Sequence, residues 1–271
     1  MRPEKEQVEA NLAAIEAVLT SRTRPLSVPP GSGPKSKRSY RINEYERIAA
    51  LLGSHQAAYG KNYDVAFVPL PPSKPMGAVN SGLMTLSATA PSQVERHSFP
   101  GNYSWPMSLF MLDRCFLVHR FPLEGGVQLV LVNTHNSAYD DGSLRDRQME
   151  YMKEFLMQET ENGNHVIVGG DWNQTPEGKD PEFDEHPFDR DDYIVIPEDY
   201  PAPDWHWVYD PSVPTNRRVA APYEKGTTPT TLIDCFLVSP GIAVLDRETF
   251  DLNFAHSDHH PIRARFRLTN P

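Results

Sequence analysis

The sequence predicts an α/β protein built as a layered sandwich. Strand-like runs outnumber helix-like ones, hairpin-like connections mix with helical crossovers, and 271 residues suffice for one large domain with a full core. A hydrophobic content of 39% with 10% aromatics is ordinary for a globular chain. The 26 prolines are roughly twice the usual ~5% share and predict long irregular connections. A net charge of −10 argues against a protein that coats nucleic acid by charge alone. It does not exclude a nuclease, because a divalent cation reverses the local field of an acidic site. Cys115 and Cys235 each lie in an apolar run and are expected as buried strand thiols, with no metal-type spacing. No run is long enough to span a membrane, and Met1 opens into a charged segment, so neither a transmembrane helix nor a signal peptide is expected.

Taken in order, residues 4 to about 20 place Val8, Leu12, Ile15 and Leu19 on one face at helical spacing. Thr23 to Pro34 is rich in Pro and Gly and is expected to run as irregular, poorly packed backbone. Asn43-Glu44-Tyr45-Glu46 reads as a capping box that opens a helix through Leu52, closed by Gly53. Strands are predicted at Tyr63–Leu70, Gly82–Ser87 and Leu109–Phe121, and Gly125-Gly126 turn the last into Gln128–Asn133. Ser143 opens a helix with Leu144, Met152, Phe155 and Leu156 on its apolar side, ending near Gly163. Val166-Ile167-Val168 is a β-branched strand ended by Gly169-Gly170. A long acidic, Pro-rich loop follows from Gln174 to about Asp204, and two final strands are predicted at Thr231–Val238 and Pro261–Leu268.

Polar residues gather at the ends of these strands. Asp171 and Asn173 follow Gly169-Gly170, where open α/β sheets place ligand sites. His135 ends Asn133-Thr134-His135, Asp234 opens Asp234-Cys235-Phe236, and Asp258-His259 precede Pro261. Singly, each has an ordinary explanation: an Asx turn, a backbone-bonded histidine, a structural carboxylate. A zinc site from His256, Asp258, His259 and His260 is disfavoured, since adjacent strand residues point to opposite faces.

Taken together, Asn133-Thr134-His135, Gly169-Gly170-Asp171-Trp172-Asn173, Ile233-Asp234 and Ser257-Asp258-His259-His260-Pro261 resemble the endonuclease/exonuclease/phosphatase superfamily. The resemblance runs from about Ser36 to Leu268. It implies the deoxyribonuclease I-like fold, two mostly antiparallel sheets flanked by helices, in a single domain over 1–271. It also implies a metal-dependent phosphoric ester hydrolase acting on a phosphodiester or a phosphomonoester. By resemblance, Asp171 orients and deprotonates the water, and Asn173 holds a phosphate oxygen. His259, paired with Asp234, donates to the phosphoryl group, and His135 stabilises the transition state or leaving oxygen. Asp258 takes part in a Mg²⁺ (or Mn²⁺) site. The substrate classes implied are nucleic acid, a phospholipid headgroup or an inositol phosphate, handled by a monomer.

The pattern departs from the family near the N-terminus. The family's first strand ends in an asparagine, and a second strand delivers Gln-Glu, the glutamate being its principal metal ligand. Here Pro30-Gly31-Ser32-Gly33 stands at the second position, so the N-terminal strands are expected to be missing or disrupted. Codons for Pro30 to Pro34 can encode Gln-Glu-Val-Asp when read one base later. Compensating frameshifts around Arg22 to Pro34 would therefore explain the segment, and the encoding DNA tests this. The alternative function is a pseudoenzyme or binding module that keeps the fold without turnover.

Overall fold

The computed structural model describes residues 4–21, 26–32 (as backbone), 36–37, 39–68, 75, 77–101, 113–138, 143–179, 181–183 and 194–269. The chain divides into two compact units, Met1–His119 and Arg120–Pro271.

The first unit contains helix α1 (Lys5–Ser21), strand β1 (Leu26–Ser32), helix α2 (Glu44–Leu51), and strands β2 (Gln56–Val68), β3 (Gly77–Ser87) and β4 (Gln93–Ser98). Strand β5 (Cys115–Pro122) begins in it and crosses the boundary. The predicted helical faces form its core: Leu12 and Leu19 of α1 cluster with Ile48, Leu52, Met84 and Leu86. Asn43 caps α2 as expected, its Oδ1 accepting the Glu46 N–H at 3.4 Å. Both β1 and β2 pair antiparallel with β3, in the order β1-β3-β2.

Strand β1 corrects the expectation of irregular backbone at Thr23 to Pro34. Leu26, Ser27 and Val28 pair with Leu86, Thr85 and Met84, and Gly31 and Ser32 with Gly82 and Ser81. The prolines are tolerated because the register shifts between Val28 and Gly31. Pro29 and Pro30 sit in that irregularity, where no amide is needed for the ladder. The flanks 22–25 and 33–35 lie outside the described residues.

The strands are longer than predicted in two places. β2 begins at Gln56 rather than Tyr63, and β3 at Gly77 rather than Gly82. Gln56 to Asn62 has little intrinsic strand preference, and its long register against β3 makes it a strand. Gly60 and Gly82 permit the close approach, since a Cβ at Gly82 would collide with the Gly60 carbonyl. β4, polar apart from Val94, lies outside the predicted strands.

The second unit holds strand β6 (Gln128–His135), helix α3 (Ser143–Glu161), and strands β7 (His165–Asp171), β8 (Thr175–Pro176), β9 (Val195–Ile196) and β10 (His206–Val208). Strands β11 (Asn216–Arg217), β12 (Thr230–Thr231), β13 (Asp234–Val238), β14 (Ile242–Thr249) and β15 (Ile262–Leu268) complete it. Here the sheet is mixed: β10, β13, β7 and β6 lie side by side, with β6 and β7 parallel and the other pairs antiparallel. Helix α3 is the crossover between the parallel pair, as its sequence position predicts. β14 lies outside the predicted strands and pairs antiparallel with β15. Val208, Val238 and Ile242 cluster with half-buried Phe236 and Phe266 beneath that hairpin. The predicted Thr231–Val238 strand is broken in two, because Thr215 Oγ1 takes the N–H groups of Ile233 and Asp234, each at 3.0 Å. Part of the long loop after Gln174, residues 180 and 184–193, lies outside the described residues.

Candidate active site

Register alone brings most of the predicted residues together. β6 runs parallel to β7 with His135 level with Asp171, so both reach the sheet edge at their C-terminal ends. β13 runs antiparallel to β7 with Asp234 opposite Asp171, so it starts where they finish. His259 joins them through an isolated bridge to Asn216.

The glycines before Asp171 have a steric cause. Gly170 has φ 152°, and a Cβ there would collide with the Thr134 carbonyl oxygen on the neighbouring strand. Gly170→Ala is therefore expected to destabilise the protein by about 1–3 kcal/mol or more, measured by chemical denaturation. Trp172 then turns away from solvent, fully buried, with its N–H on the Ile233 carbonyl at 3.0 Å and its indole N–H on the Cys235 carbonyl at 3.2 Å. Asn173 adopts φ 50°, a conformation asparagine tolerates better than most residues. Its N–H donates to Asp171 Oδ1 at 2.9 Å, and its Nδ2 donates to the Asn136 carbonyl at 2.9 Å. Only the NH₂ end of the amide can face that carbonyl, which fixes its orientation and leaves a second N–H to donate.

Asp171 Oδ2 lies 3.4 Å from His135 Nε2 and 3.8 Å from His259 Nε2. His259 Nδ1 is bonded to Asp234 Oδ2 at 2.8 Å. Asp234 is shielded, its side chain 15% exposed, as a carboxylate in an apolar strand requires. Burial by itself would lower the His259 pKa. The charge of Asp234 and its hydrogen bond, with Asp171 and Asp258 adding, outweigh burial and push it up to about 10. Asn216 Nδ2 lies 2.9 Å from His259 Nε2 and 3.2 Å from the Asp258 carbonyl, a placement that suits a neutral ring. The carboxylates of Asp234, Asp171 and Asp258 favour the charged ring.

His259 thus gains its partners on folding and has its pKa raised above the ordinary 6.5. Its contribution to stability is complete below about pH 6.5 and is lost as pH rises through about 10. The melting temperature of the wild type is expected to fall more steeply between those limits than that of His259→Asn. Parallel curves would contradict the assigned charge.

His260, next in sequence, plays no part in this group. Its Nδ1 donates to the Pro214 carbonyl at 2.8 Å, its Nε2 accepts the Phe254 N–H at 3.1 Å, and burial lowers its pKa. Asp258 is exposed. Its carboxylate stands outside the group formed by Asp171, Asp234 and His259, whose ligand atoms lie within 4.8 Å of one another.

Solved structures share this fold. The chain is similar to an endonuclease/exonuclease/phosphatase from Beutenbergia cavernae DSM 12333, with TM-score 0.62 and 16% identity, over 95% of this chain and 66% of that one. The chain has the endonuclease/exonuclease/phosphatase fold. It is similar also to ANGEL2, a 2',3'-cyclic phosphatase, in complex with adenosine-2',3'-vanadate (TM-score 0.60, 14% identity, 98% of this chain and 88% of that one). D. rerio TDP2 complexed with single-strand DNA product is a third (TM-score 0.56, 13% identity, 97% and 92%). No protein-family model and no curated protein sequence matches the chain.

Among the described residues, Asp171, Asp234 and His259 are the group whose donor atoms converge closely enough to hold a metal ion. Asp234 and His259 are already bonded to each other, and an imidazole ligand suits Mg²⁺ poorly. The exposed carboxylate of Asp258 fits one oxygen ligand of such a cation, with water and phosphate oxygens completing the shell. Asn216 and Thr215 escaped the sequence reading. A Pro-Thr-Asn turn is ordinary in a Pro-rich chain, and only the fold brings it against His259.

Proposed function

We propose that this chain is a divalent-metal-dependent phosphoesterase, acting on a phosphodiester in preference to a phosphomonoester. The observation that carries this reading is Asp171 Oδ2 facing two imidazoles, at 3.4 and 3.8 Å, one of them hydrogen-bonded to Asp234. Asp171 takes the proton from the attacking water. The second N–H of Asn173 holds a phosphate oxygen, and His259 donates its Nε2 proton to the phosphoryl group. His135 stabilises the leaving oxygen. Mg²⁺ or Mn²⁺, held through Asp258, would neutralise the phosphate charge. A nucleotide-containing substrate is supported by the adenosine-2',3'-vanadate and single-strand DNA product bound by the neighbouring structures. Phospholipid headgroups and inositol phosphates are the competing classes.

One observation favours a second reading, a binding module without turnover: no acidic side chain occurs in Leu26–Ser32, the strand that delivers the metal ligand in the family pattern. Titrating Mg²⁺ and Mn²⁺ against bis(p-nitrophenyl) phosphate separates the two. Metal-dependent turnover that disappears in Asp171→Asn supports the enzyme. Binding of inorganic vanadate with no turnover supports the module. Turnover on a panel of DNA, RNA, phospholipid and inositol phosphate then assigns the substrate.

A further inference from the structure

Helix α3 buries a glutamine completely. Gln148 is 0% exposed, where a leucine would pack at lower desolvation cost. Both ends of its amide are spent on one residue. Oε1 accepts the Ser137 N–H at 3.0 Å, and Nε2 donates to Ser137 Oγ at 2.9 Å. Ser137 follows Asn136, which is 1% exposed and tied on every side. The Asn136 N–H donates to the Asp171 carbonyl at 3.0 Å, and its own carbonyl accepts Asn173 Nδ2 at 2.9 Å. Its side chain accepts the Thr134 hydroxyl at 2.6 Å and reaches Met149 Sδ of α3 at 3.3 Å. His135 lies between Thr134 and Asn136 in this turn. The helix therefore grips, through Gln148 and Met149, the turn that carries His135 and receives the Asn173 amide.

We propose that Gln148 is a positioning residue for the phosphoesterase site, and this role rests on that reading of the site. Its amide bonds Ser137 at both ends and not one of the six proposed site residues. It fixes the backbone of Asn136 and Ser137, so that His135 and the Asn173 amide face Asp171 together. A catalytic group displaced by about 1 Å can lose about 10²-fold in rate, which gives a remote clamp a kinetic effect.

The test uses the full chain with Gln148→Met, which keeps the side-chain length and removes both hydrogen bonds. Turnover of bis(p-nitrophenyl) phosphate is read beside the ¹⁵N order parameter of the Asn173 side-chain amide. The expected result is a kcat lower by about 10–100-fold, a KM changed far less, and an Asn173 amide that becomes mobile while circular dichroism stays native. A rigid Asn173 amide in the folded variant overturns the proposal, whatever the rate does. Should the wild type show no turnover, the phosphoesterase reading falls and the amide measurement still decides the positioning role. Should Gln148→Met not fold, Ser137→Ala decides, since it leaves α3 intact and removes the hydroxyl arm of the clamp. An Asn173 amide as rigid in Ser137→Ala as in the wild type would then overturn the proposal, and a loosened one would support it.

Discussion

Asp171→Asn is expected to lower kcat on an aryl phosphodiester by about 10²–10⁴-fold, the usual contribution of a general base. The substitution is isosteric, so Oδ1 can still accept the Asn173 N–H that shapes the turn. What it removes is the basic oxygen that faces His135 and His259. It also removes one of the charges that raise the His259 pKa, which should therefore drop below about 10. Steady-state kinetics and an NMR titration of the His259 ring measure the two effects. A variant within tenfold of the wild-type rate, with an unchanged His259 titration, would show that Asp171 has neither role.

Arg120→Ala is expected to cost about 3–5 kcal/mol, because it strands a buried carboxylate. Arg120 meets Glu159 of α3 through two bonds, at 3.0 and 2.7 Å, and the Glu159 side chain is only 6% exposed. Asn164 donates to the same carboxylate at 2.7 Å and accepts the Gln128 N–H at 2.8 Å. The network thus joins the end of α3 to the start of β6. Removing both charges in Arg120→Met/Glu159→Met should recover most of the loss, since no unpaired ion remains. Urea denaturation of Arg120→Met, Glu159→Met and the double variant forms the cycle that isolates the pair. A double variant as unstable as Arg120→Ala would mean that packing, not the stranded charge, sets the cost.

The candidate site was legible in sequence because its residues stand at strand ends, where a short apolar run stops and a polar side chain begins. Asp171, Asn173 and His135 have that signature, whereas Asp234 and Asp258-His259 stand where a strand is about to begin. Asn136, Gln148 and Asn216 do not: they support the site from a turn, a helix interior and a two-residue strand, and only tertiary contact distinguishes them. The same division holds for the fold. Helices α1 and α2 follow from apolar spacing and a cap, whereas β4 is polar and the start of β2 has weak preference. In β1 the prolines were read as excluding a strand, but the register shift accommodates them.

Trp172 has an optical consequence. Of the chain's four tryptophans, Trp172, Trp205 and Trp207 fall within Arg120–Pro271. Trp172 meets Trp207 edge-on at 4.9 Å and Tyr200 at 6.5 Å, with both of its own N–H groups committed to carbonyls. Intrinsic fluorescence therefore weights the unit that carries the candidate site, and most directly the turn between Asp171 and Asn173. Emission from this chain is a built-in gauge of loosening at that turn, and far-ultraviolet dichroism, averaged over both units, is not.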